Sequence, residues 1–238
     1  MMQGSFSFKD VAEMLSVHFN KSIEVTDYQN VSGGCINACF VLETNAAKYF
    51  LKKNNAHKFP GMFSVEARGL QLLSGKATDF IPQVILQFEK DDVQYLILEY
   101  IEQGRRSENF WNDFAKQLSD LHRNTNDKFG LDHDNYMGSL HQKNSWCNSF
   151  NDFFILRRIE PLLKLAIEKK ELPDAITKNF EKLFDELDNI FPIEKPALIH
   201  GDLWGGNFMI NKNGRAIIID PAVAYSHREC DLAMTKLF

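Results

Sequence analysis

The strongest chemical signal in the sequence is the run HGDLWGGN at positions 200–207, followed by an aspartate at Asp220. Asn207 follows Asp202 by five positions, and the apolar segment before Asp220 is typical of a short hairpin. This spacing brings a carboxylate and an amide to one side of a phosphoryl group, where Asp202 would accept the proton of an attacking hydroxyl. Asn207 and Asp220 would supply oxygen ligands to Mg²⁺. The alternative is a turn with a purely structural role, because Asp, Gly and Asn are common turn residues.

The same Asp-to-Asn spacing occurs in the catalytic loop of protein kinases, whose other lobe pairs a strand lysine with a helix glutamate. Lys52 lies in a strand-like run, and Glu66 follows 14 positions later in a helical segment. Lys53 is adjacent, and both lysines could be ordinary edge-strand charges. Because side chains alternate along a strand, only one of the two lysines can face the phosphates.

Two further segments are typical of a nucleotide site. Ser32, Gly33 and Gly34 separate two strand-like runs, where the glycines would let backbone amides approach phosphate oxygens. A plain hairpin turn is the alternative. The end of the last predicted strand is expected to bind adenine through its backbone, at Glu99, Tyr100 and Ile101.

Hydrophobic periodicity predicts an α+β fold with two lobes of the protein-kinase type. Residues 1–103 are expected to form a nucleotide-binding lobe with a five-stranded antiparallel sheet and a helix. Residues 104–238 are expected to form a mainly helical, catalytic and acceptor-binding lobe, interrupted by the strands ALIH, FMIN and AIIID. The boundary falls near Gly104, where the period of the apolar residues changes from that of strands to that of helices.

Composition and charge exclude several classes of protein. The 238 residues include 44% hydrophobic and 25% charged side chains, which is ordinary globular usage. The 27 basic and 32 acidic side chains give a net charge of −5, so nucleic acid is not an expected partner. No run reaches the roughly 18 apolar residues of a spanning helix, and no signal peptide is evident. We therefore expect a cytoplasmic protein without a membrane partner, whose four cysteines are reduced thiols.

The octet HGDLWGGN and the later run IIIDPAVAYSHRECDLAMT closely resemble the fructosamine (ketosamine) kinase family. The segments SGGCIN, YFLKKN, FSVEARGL and LILEYI occur in the order expected of its nucleotide-binding lobe, so the resemblance covers most of the chain. It implies a fold similar to that of aminoglycoside phosphotransferases and choline kinases, with ATP and Mg²⁺ as cofactors. It further implies phosphorylation of the third-carbon sugar hydroxyl of free or protein-bound glycated amines. The pattern F-L-K-x-N places the functional lysine at Lys52.

Trp204 and Asp231 each have two interpretations. Trp204 would either stack on a sugar face as a substrate-binding residue or cover the loop as a core aromatic. Asp231 would either hydrogen-bond the catalytic loop or be a first-turn carboxylate stabilised by the helix dipole. His200 is expected to hold the loop by hydrogen bonds. The other histidines show no ligand spacing and are interpreted as structural or solvated: His18, His57, His122, His133, His141 and His227.

Members of the family extend beyond the DLAMT segment with further helices, so the C-terminal lobe is expected to be truncated. The apolar face left behind would favour a partner or self-association. Another small-molecule kinase of the aminoglycoside or choline kinase type is the alternative function, and an inactive nucleotide-binding fragment is another. Cys35, beside the predicted phosphate loop, is either a redox-sensitive thiol that regulates activity or a buried small side chain.

Overall fold

The computed structural model of the chain describes residues 8–31, 36–76 and 78–237. The first part contains helices and strands in the order α1 Phe8–Phe19, β1 Val25–Val31, β2 Ala38–Thr44, β3 Lys48–Asn55, α2 Met62–Ser74, β4 Val84–Lys90 and β5 Val93–Glu99. The second part continues with α3 Phe110–His122, β6 Asn135–Met137, β7 Leu140–Gln142, α4 Phe150–Phe154, α5 Glu160–Glu168, α6 Thr177–Ile190, β8 Ala197–Ile199, β9 Phe208–Ile210, β10 Ala216–Ile218, β11 Ala224–Ser226 and α7 Glu229–Leu237. A π-helical turn, Ile155–Ile159, joins α4 to α5.

The first five strands form one antiparallel sheet in the order β1-β2-β3-β5-β4. Helix α1 packs on one face, where Val11 and Leu15 join a buried cluster that includes Leu51 and Ile97. Helix α2 packs on the other face together with Leu96 and Leu98 of β5. Because neighbouring residues of β5 belong to different clusters, both faces of the sheet are covered. The predicted α+β fold with a five-stranded lobe is confirmed.

Alternation along β3 separates the two neighbouring lysines. Leu51 belongs to the cluster on the α1 face, whereas Phe50 packs against the cluster that contains α2. Lys52 therefore lies on the α2 face, and it is only 4% exposed. Lys53 lies on the opposite face, with its ammonium 5.7 Å from the centroid of the Phe40 ring. The sheet thus directs only Lys52 towards the second part of the chain.

Local turn chemistry explains two of the hairpins. Asp91 and Asp92 connect β4 to β5 with φ angles of 50° and 62°, the left-handed conformation that two-residue hairpin turns require. The turn between β9 and β10 contains Gly214 at φ 74°, whose N–H donates to the carbonyl of Asn211. This turn pairs FMI with AII in an antiparallel hairpin, as predicted for the apolar segment before Asp220.

The second part of the chain is mainly helical, as predicted, but it contains strands that the sequence did not indicate. The unpredicted strands are β6, which pairs with β7, and β11, which pairs with the predicted strand β8. The unpredicted strands have the sequences NYM, LHQ and AYS, which contain polar residues, whereas the equally short strands that were predicted are wholly apolar: ALI, FMI and AII.

One apolar core joins the two parts. Phe63 of α2 and Leu96 of β5 share it with Leu121 of α3 and with Leu203. Gly104 packs against β9, because its N–H donates to the carbonyl of Ile210 at 2.9 Å. A Cβ at Gly104 would lie 2.4 Å from a backbone oxygen, so only glycine fits this close approach.

Within residues 8–31, 36–76 and 78–237, no helix combines the length and the apolar character needed to cross a bilayer. Cys39, Cys147 and Cys230 are free thiols. Cys35, for which a redox role was considered, lies outside the described residues.

Candidate active site

Lys52 joins three elements through two ion pairs. Its Nζ lies 2.6 Å from Oε1 of Glu66 on α2 and 2.6 Å from Oδ1 of Asp220, just after β10. The Lys52–Glu66 pair is the one expected from the spacing along the chain. The contact with Asp220 connects the sheet of the first part to the predicted metal ligand, 168 positions away.

Burial and the neighbouring carboxylates shift the pKa of Lys52 in opposite directions. Burial alone would lower the pKa of Lys52, but the charges of Asp220 and Glu66 more than offset it and hold the pKa above its ordinary value. Burial raises the pKa of Asp220, but Lys52 outweighs it and holds the pKa of this carboxyl below its ordinary value. Lys52 is therefore cationic and Asp220 anionic at neutral pH. This charge arrangement suits a site for phosphate and a divalent cation.

Asp202 and Asn207 are held together within the loop after β8. The Nδ2 of Asn207 donates to the backbone carbonyl of Asp202 at 2.8 Å and to its Oδ2 at 3.0 Å. Because the amide nitrogen is used in these contacts, the amide oxygen is the atom of Asn207 left for a metal. The predicted base and the predicted metal ligand are thus neighbours in space as well as in sequence.

His200 supports the loop in one defined tautomer. Its Nε2 lies 2.9 Å from the carbonyl of Ile219, which can only accept, so Nε2 carries the proton. Its Nδ1 then accepts from the N–H of Asp202 at 3.3 Å. Burial lowers the pKa of His200, which keeps the ring neutral. The expectation that His200 holds the loop by hydrogen bonds agrees with these contacts.

Asp231 holds the backbone of the same loop from α7. Its carboxylate accepts the N–H of His200 at 2.9 Å and the N–H of Gly201 at 2.8 Å. His122, at the end of α3, places Nε2 2.8 Å from the same carboxylate. Asp231 therefore contacts the catalytic loop and also lies in the first turn of α7, so both interpretations of this residue describe the structure. The sequence analysis gave His122 no specific role, because its partner lies 109 positions away.

The two interpretations of Asp231 differ in the expected effect of replacing it. We expect Asp231→Asn to destabilise the protein by about 1–3 kcal/mol and to lower kcat, because the amide offers one acceptor oxygen to three donors. Glu229→Gln is the matched control, since Glu229 is exposed in the same first turn and loses only its favourable interaction with the helix dipole. Thermal unfolding and initial rates would measure both effects. Equal losses in the two variants would show that only the helix dipole matters.

The loop that carries Asp202 and the segment that carries Asp220 are tied to each other. The N–H of Ile219 donates to the carbonyl of Asn207, and the N–H of Ala222 donates to that of His200, both at 2.9 Å. Gly201 has φ 83°, and a Cβ there would lie 2.1 Å from the carbonyl oxygen of Ala222. The loop therefore requires glycine at this position.

Asp220 itself has φ 57°, in the left-handed region. A left-handed conformation is uncommon for a residue other than glycine, and it persists only where the surroundings impose it. The ion pair with Lys52 and the backbone bonds on either side of Asp220 supply that constraint.

Trp204 covers the loop and borders the cleft. Its side chain is 40% exposed, and a Cβ on Gly206 would lie 2.3 Å from the indole ring. The ring therefore lies directly against Gly206, which explains the glycine. The ring packs on the loop while part of it stays accessible, and its stacking on a sugar stays a prediction.

The other predicted nucleotide-binding residues form two groups, one at the end of β5 and one outside the described residues. Glu99 ends β5, and its Oε1 accepts the N–H of Gln83 at 2.8 Å. Tyr100 and Ile101 follow, and neither donates its peptide N–H to another backbone carbonyl within the described chain. They line a cavity with Lys48 and Asn211, separate from the cleft that contains Asp202, so their contact with adenine stays a prediction. The predicted phosphate-loop residues lie outside the described residues: Ser32, Gly33 and Gly34.

The predicted catalytic and metal-binding side chains line one cleft of about 250 Å³, together with Lys52, Glu66 and Trp204. Asn207 and Asp220 fit Mg²⁺ in ligand type, since they provide an amide oxygen and a carboxylate whose Oδ2 makes no hydrogen bond within the described chain. Across residues 8–31, 36–76 and 78–237, no group of three or more His, Cys, Asp or Glu is arranged to hold a metal. Two protein oxygens completed by water and phosphate oxygens are the usual arrangement for Mg²⁺.

The electrostatics of Asp202 predict how activity depends on pH. Burial raises the pKa of Asp202 above its ordinary value of 3.8, although the hydrogen bond from Asn207 partly offsets the effect. A base must be deprotonated to act, so kcat/KM is expected to fall as the pH drops through this raised pKa. Initial rates measured across a range of pH would locate the acid limb of kcat/KM. Circular dichroism at each pH would show that the fold persists. An acid limb at or below 3.8 would contradict the assignment.

Comparison with known proteins agrees with the geometry. A sequence profile of the fructosamine kinase family matches residues 7–238. A protein of Synechocystis sp. named probable ketoamine kinase is 34% identical over 235 residues, which are 97% of this chain and 78% of the relative. The chloroplastic protein-ribulosamine 3-kinase of Arabidopsis thaliana is 32% identical over 220 residues, which are 90% of this chain and 67% of that protein.

Solved structures show the same relationship. The crystal structure of a candidate fructosamine-3-kinase from Haemophilus somnus superposes with a TM-score of 0.88 at 27% identity, covering 97% of this chain and 77% of that one. Aminoglycoside phosphotransferase APH(4)-Ia superposes with a TM-score of 0.65 at 16% identity, covering 95% and 76%, and shares the fold. The kinase-like fold is thereby confirmed. With a family profile that spans nearly the whole sequence, the chain belongs to the fructosamine kinase family.

Proposed function

We propose that the protein transfers the γ-phosphoryl group of ATP to a sugar hydroxyl of a ketosamine, a fructosamine or ribulosamine on a free or protein-bound amine. Membership of the family identifies the protein as a phosphotransferase that acts on a sugar hydroxyl. The observation that carries the proposal is the contact of Lys52 with both Glu66 and Asp220 in the cleft that also contains Asp202 and Asn207. A purely structural loop would not need a buried lysine shared by two carboxylates.

Asp202 is the proposed base for the acceptor hydroxyl. Burial raises the pKa of Asp202, which makes it a better proton acceptor than an ordinary aspartate. Asn207 and His200 fix the orientation of the carboxylate and of its backbone. In phosphoryl transfer most of the catalysis comes from positioning and from charge stabilisation, and these contacts supply the positioning.

Lys52 is the proposed ligand of the nucleotide phosphates, and Glu66 keeps it in place. Asn207 and Asp220 would hold Mg²⁺, which when bound supplies positive charge to the phosphate oxygens. The peptide groups of Glu99, Tyr100 and Ile101 would hold the adenine. The phosphates would be held by Ser32, Gly33 and Gly34. We further propose that residues 1–103 form the nucleotide-binding lobe and residues 104–238 the catalytic and acceptor-binding lobe, with Trp204 stacked on the sugar.

The test is ATP consumption by the purified chain with Mg²⁺, with and without a small fructosamine or ribulosamine. We expect consumption that requires the ketosamine, and a phosphorylated ketosamine detectable by mass spectrometry. Consumption with an aminoglycoside or choline instead would establish the other small-molecule kinase. ATP binding without turnover on any acceptor would establish an inactive nucleotide-binding chain.

The location of the protein in the cytoplasm and the expected partner or self-association at the C-terminal lobe stay predictions. Exposed apolar side chains do occur on that lobe, at Trp111 of α3 and at Leu232 and Leu237 of α7.

A further inference from the structure

Helix α2 carries Glu66, so the position of this helix decides whether Glu66 can hold Lys52. Within the described residues, Lys52 is the only partner that hydrogen-bonds to Glu66. The carboxylate is therefore placed by the backbone of α2. On the side of the sheet, Gln94 of β5 holds the start of α2, because its Oε1 accepts the N–H of Phe63 at 3.1 Å. The opposite side of α2 faces the second part of the chain.

On that opposite side, the β6–β7 hairpin holds the start of α2. The hydroxyl of Tyr136 donates to the carbonyl of Pro60 at 3.0 Å, two residues before Met62, where α2 begins. The ring of Tyr136 packs against the apolar core that contains Phe63 of α2. The hairpin thus contacts both the backbone before the helix and the core beneath its first turn.

An ion pair connects the middle of α2 to the segment just before the hairpin. The Nη2 of Arg68 lies 3.0 Å from Oδ2 of Asp132, and Nδ1 of His133 lies 2.6 Å from the other carboxylate oxygen. His133 and, to a smaller extent, Arg68 hold the pKa of Asp132 below its ordinary value. The side chains of Arg68 and Asp132 are 49% and 65% exposed, so the pair contributes little to stability by itself.

A close approach fixes α2 one turn beyond Glu66. A Cβ at Gly69 would lie 3.1 Å from Cγ2 of Val223, so the helix lies directly against this residue. Asn135 of β6 donates from Nδ2 to the carbonyl of Val223 at 2.8 Å. The residue on which α2 packs is therefore held by the same hairpin.

These contacts lie before, beside and after Glu66 along α2, and each depends on residues 132–136. Movement of α2 away from the hairpin would lengthen the 2.6 Å contact between Glu66 and Lys52. A displacement of about 1 Å at a catalytic group is enough to impair an enzyme strongly.

We propose that residues 132–136 position α2 for phosphoryl transfer. Tyr136 and the Arg68–Asp132 pair are the positioning residues, which act through Glu66 on the placement of Lys52 against the nucleotide phosphates. This role rests on the proposed function, because it takes Lys52 as the ligand of those phosphates. Nucleotide affinity therefore depends on a contact between the two parts of the chain that is outside the nucleotide site.

Tyr136→Phe is the most direct test, because it keeps the ring in the core and removes only the hydroxyl that contacts Pro60. Calorimetric titration with ATP and Mg²⁺ would measure nucleotide affinity without any acceptor. We expect the Kd for ATP to rise about 2- to 10-fold, which corresponds to the loss of one hydrogen bond. Tyr95→Phe is the matched control, since Tyr95 packs on the α1 face of the sheet, and we expect its Kd to be unchanged.

Arg68→Gln tests the second contact. We expect the Kd for ATP to rise about 2- to 5-fold, because a largely exposed ion pair is worth less than a hydrogen bond in the core. Arg228→Gln is the matched control, since Arg228 also forms one ion pair, with Glu194 at 2.8 Å, and does not line the cleft. We expect Arg228→Gln to leave the Kd for ATP unchanged.

The same substitutions in a chain that carries Glu66→Met separate positioning from stability. Residues that act through Glu66 have nothing left to place there, so we expect neither Tyr136→Phe nor Arg68→Gln to weaken ATP binding further. Thermal unfolding would be measured for every variant. Equal losses of affinity with and without Glu66→Met would overturn the proposal. A lower unfolding temperature with unchanged ATP affinity would also overturn it, because the hairpin would then only stabilise the fold.

The proposed function is tested separately in the same chains, by turnover of a ketosamine. If the unchanged chain binds ATP but phosphorylates no ketosamine, the proposed function fails. The positioning of α2 would still stand or fall on the ATP affinities, because their measurement requires no acceptor.

Discussion

Replacing Asp202 with asparagine is expected to lower kcat by about 10²- to 10⁴-fold, the usual contribution of a general base. The substitution keeps the shape of the side chain, and the new amide oxygen can still accept the hydrogen bond from Asn207. ATP affinity is expected to remain close to that of the unchanged chain, because the base contacts the acceptor hydroxyl and not the nucleotide. Initial rates with a ketosamine and calorimetric titration with ATP and Mg²⁺ would measure the two quantities separately.

Asp185→Asn is the matched control for this substitution, because Asp185 is exposed on α6 and does not line the cleft. It removes one carboxylate of the same kind, and we expect kcat to stay within about twofold. Near-normal turnover in Asp202→Asn would contradict the assignment of the base. Equal loss in both variants would indicate an effect of net charge and not of the site.

Much of the site could be predicted because its parts are close in sequence or lie on regular elements. The Asp202–Asn207 contact is formed within one loop, so its spacing is visible in the sequence. Alternation along β3 decides between Lys52 and Lys53, and the helix that follows places Glu66 on the same side. The fold of the first part could be predicted because its strands are seven or eight residues long and its turns have recognisable residues.

The remaining contacts of the site and the unpredicted short strands of the second part depend on tertiary packing, which leaves no local signal in the sequence. His122 and Asp231 meet across 109 positions, and neither residue type is unusual at a helix end. The β6–β7 hairpin consists of two three-residue strands, whose pairing is decided by packing against α2 and Val223. The hydrogen bond from Tyr136 to Pro60 follows from that packing, so it could be found only in three dimensions.

The second large effect is expected at Lys52. Lys52→Met would leave Glu66 and Asp220 without the cation that both contact, and the unpaired charge is costly above all at Glu66, whose side chain is only 11% exposed. We expect kcat/KM for ATP to fall about 10²- to 10³-fold, the cost of removing one preorganised donor from a site of developing charge. Lys53→Met is the matched control, because Lys53 lies on the opposite face of β3 beside Phe40, and we expect an effect of about twofold or less.

Loss of folding could imitate loss of binding in Lys52→Met, since breaking a buried ion pair destabilises a protein by about 3–5 kcal/mol. Lys52→Arg separates the two effects. Arginine keeps a positive charge between Glu66 and Asp220, so thermal unfolding should stay closer to that of the unchanged chain. The guanidinium group of arginine is planar and wider than the compact ammonium of lysine, so it cannot replace that ammonium beside the phosphates. We therefore expect kcat/KM for ATP still to fall. If Lys53→Met lost as much activity as Lys52→Met, the register of β3 relative to the nucleotide would be wrong. If Lys52→Arg were folded and fully active, Lys52 would serve only as a charge within the fold.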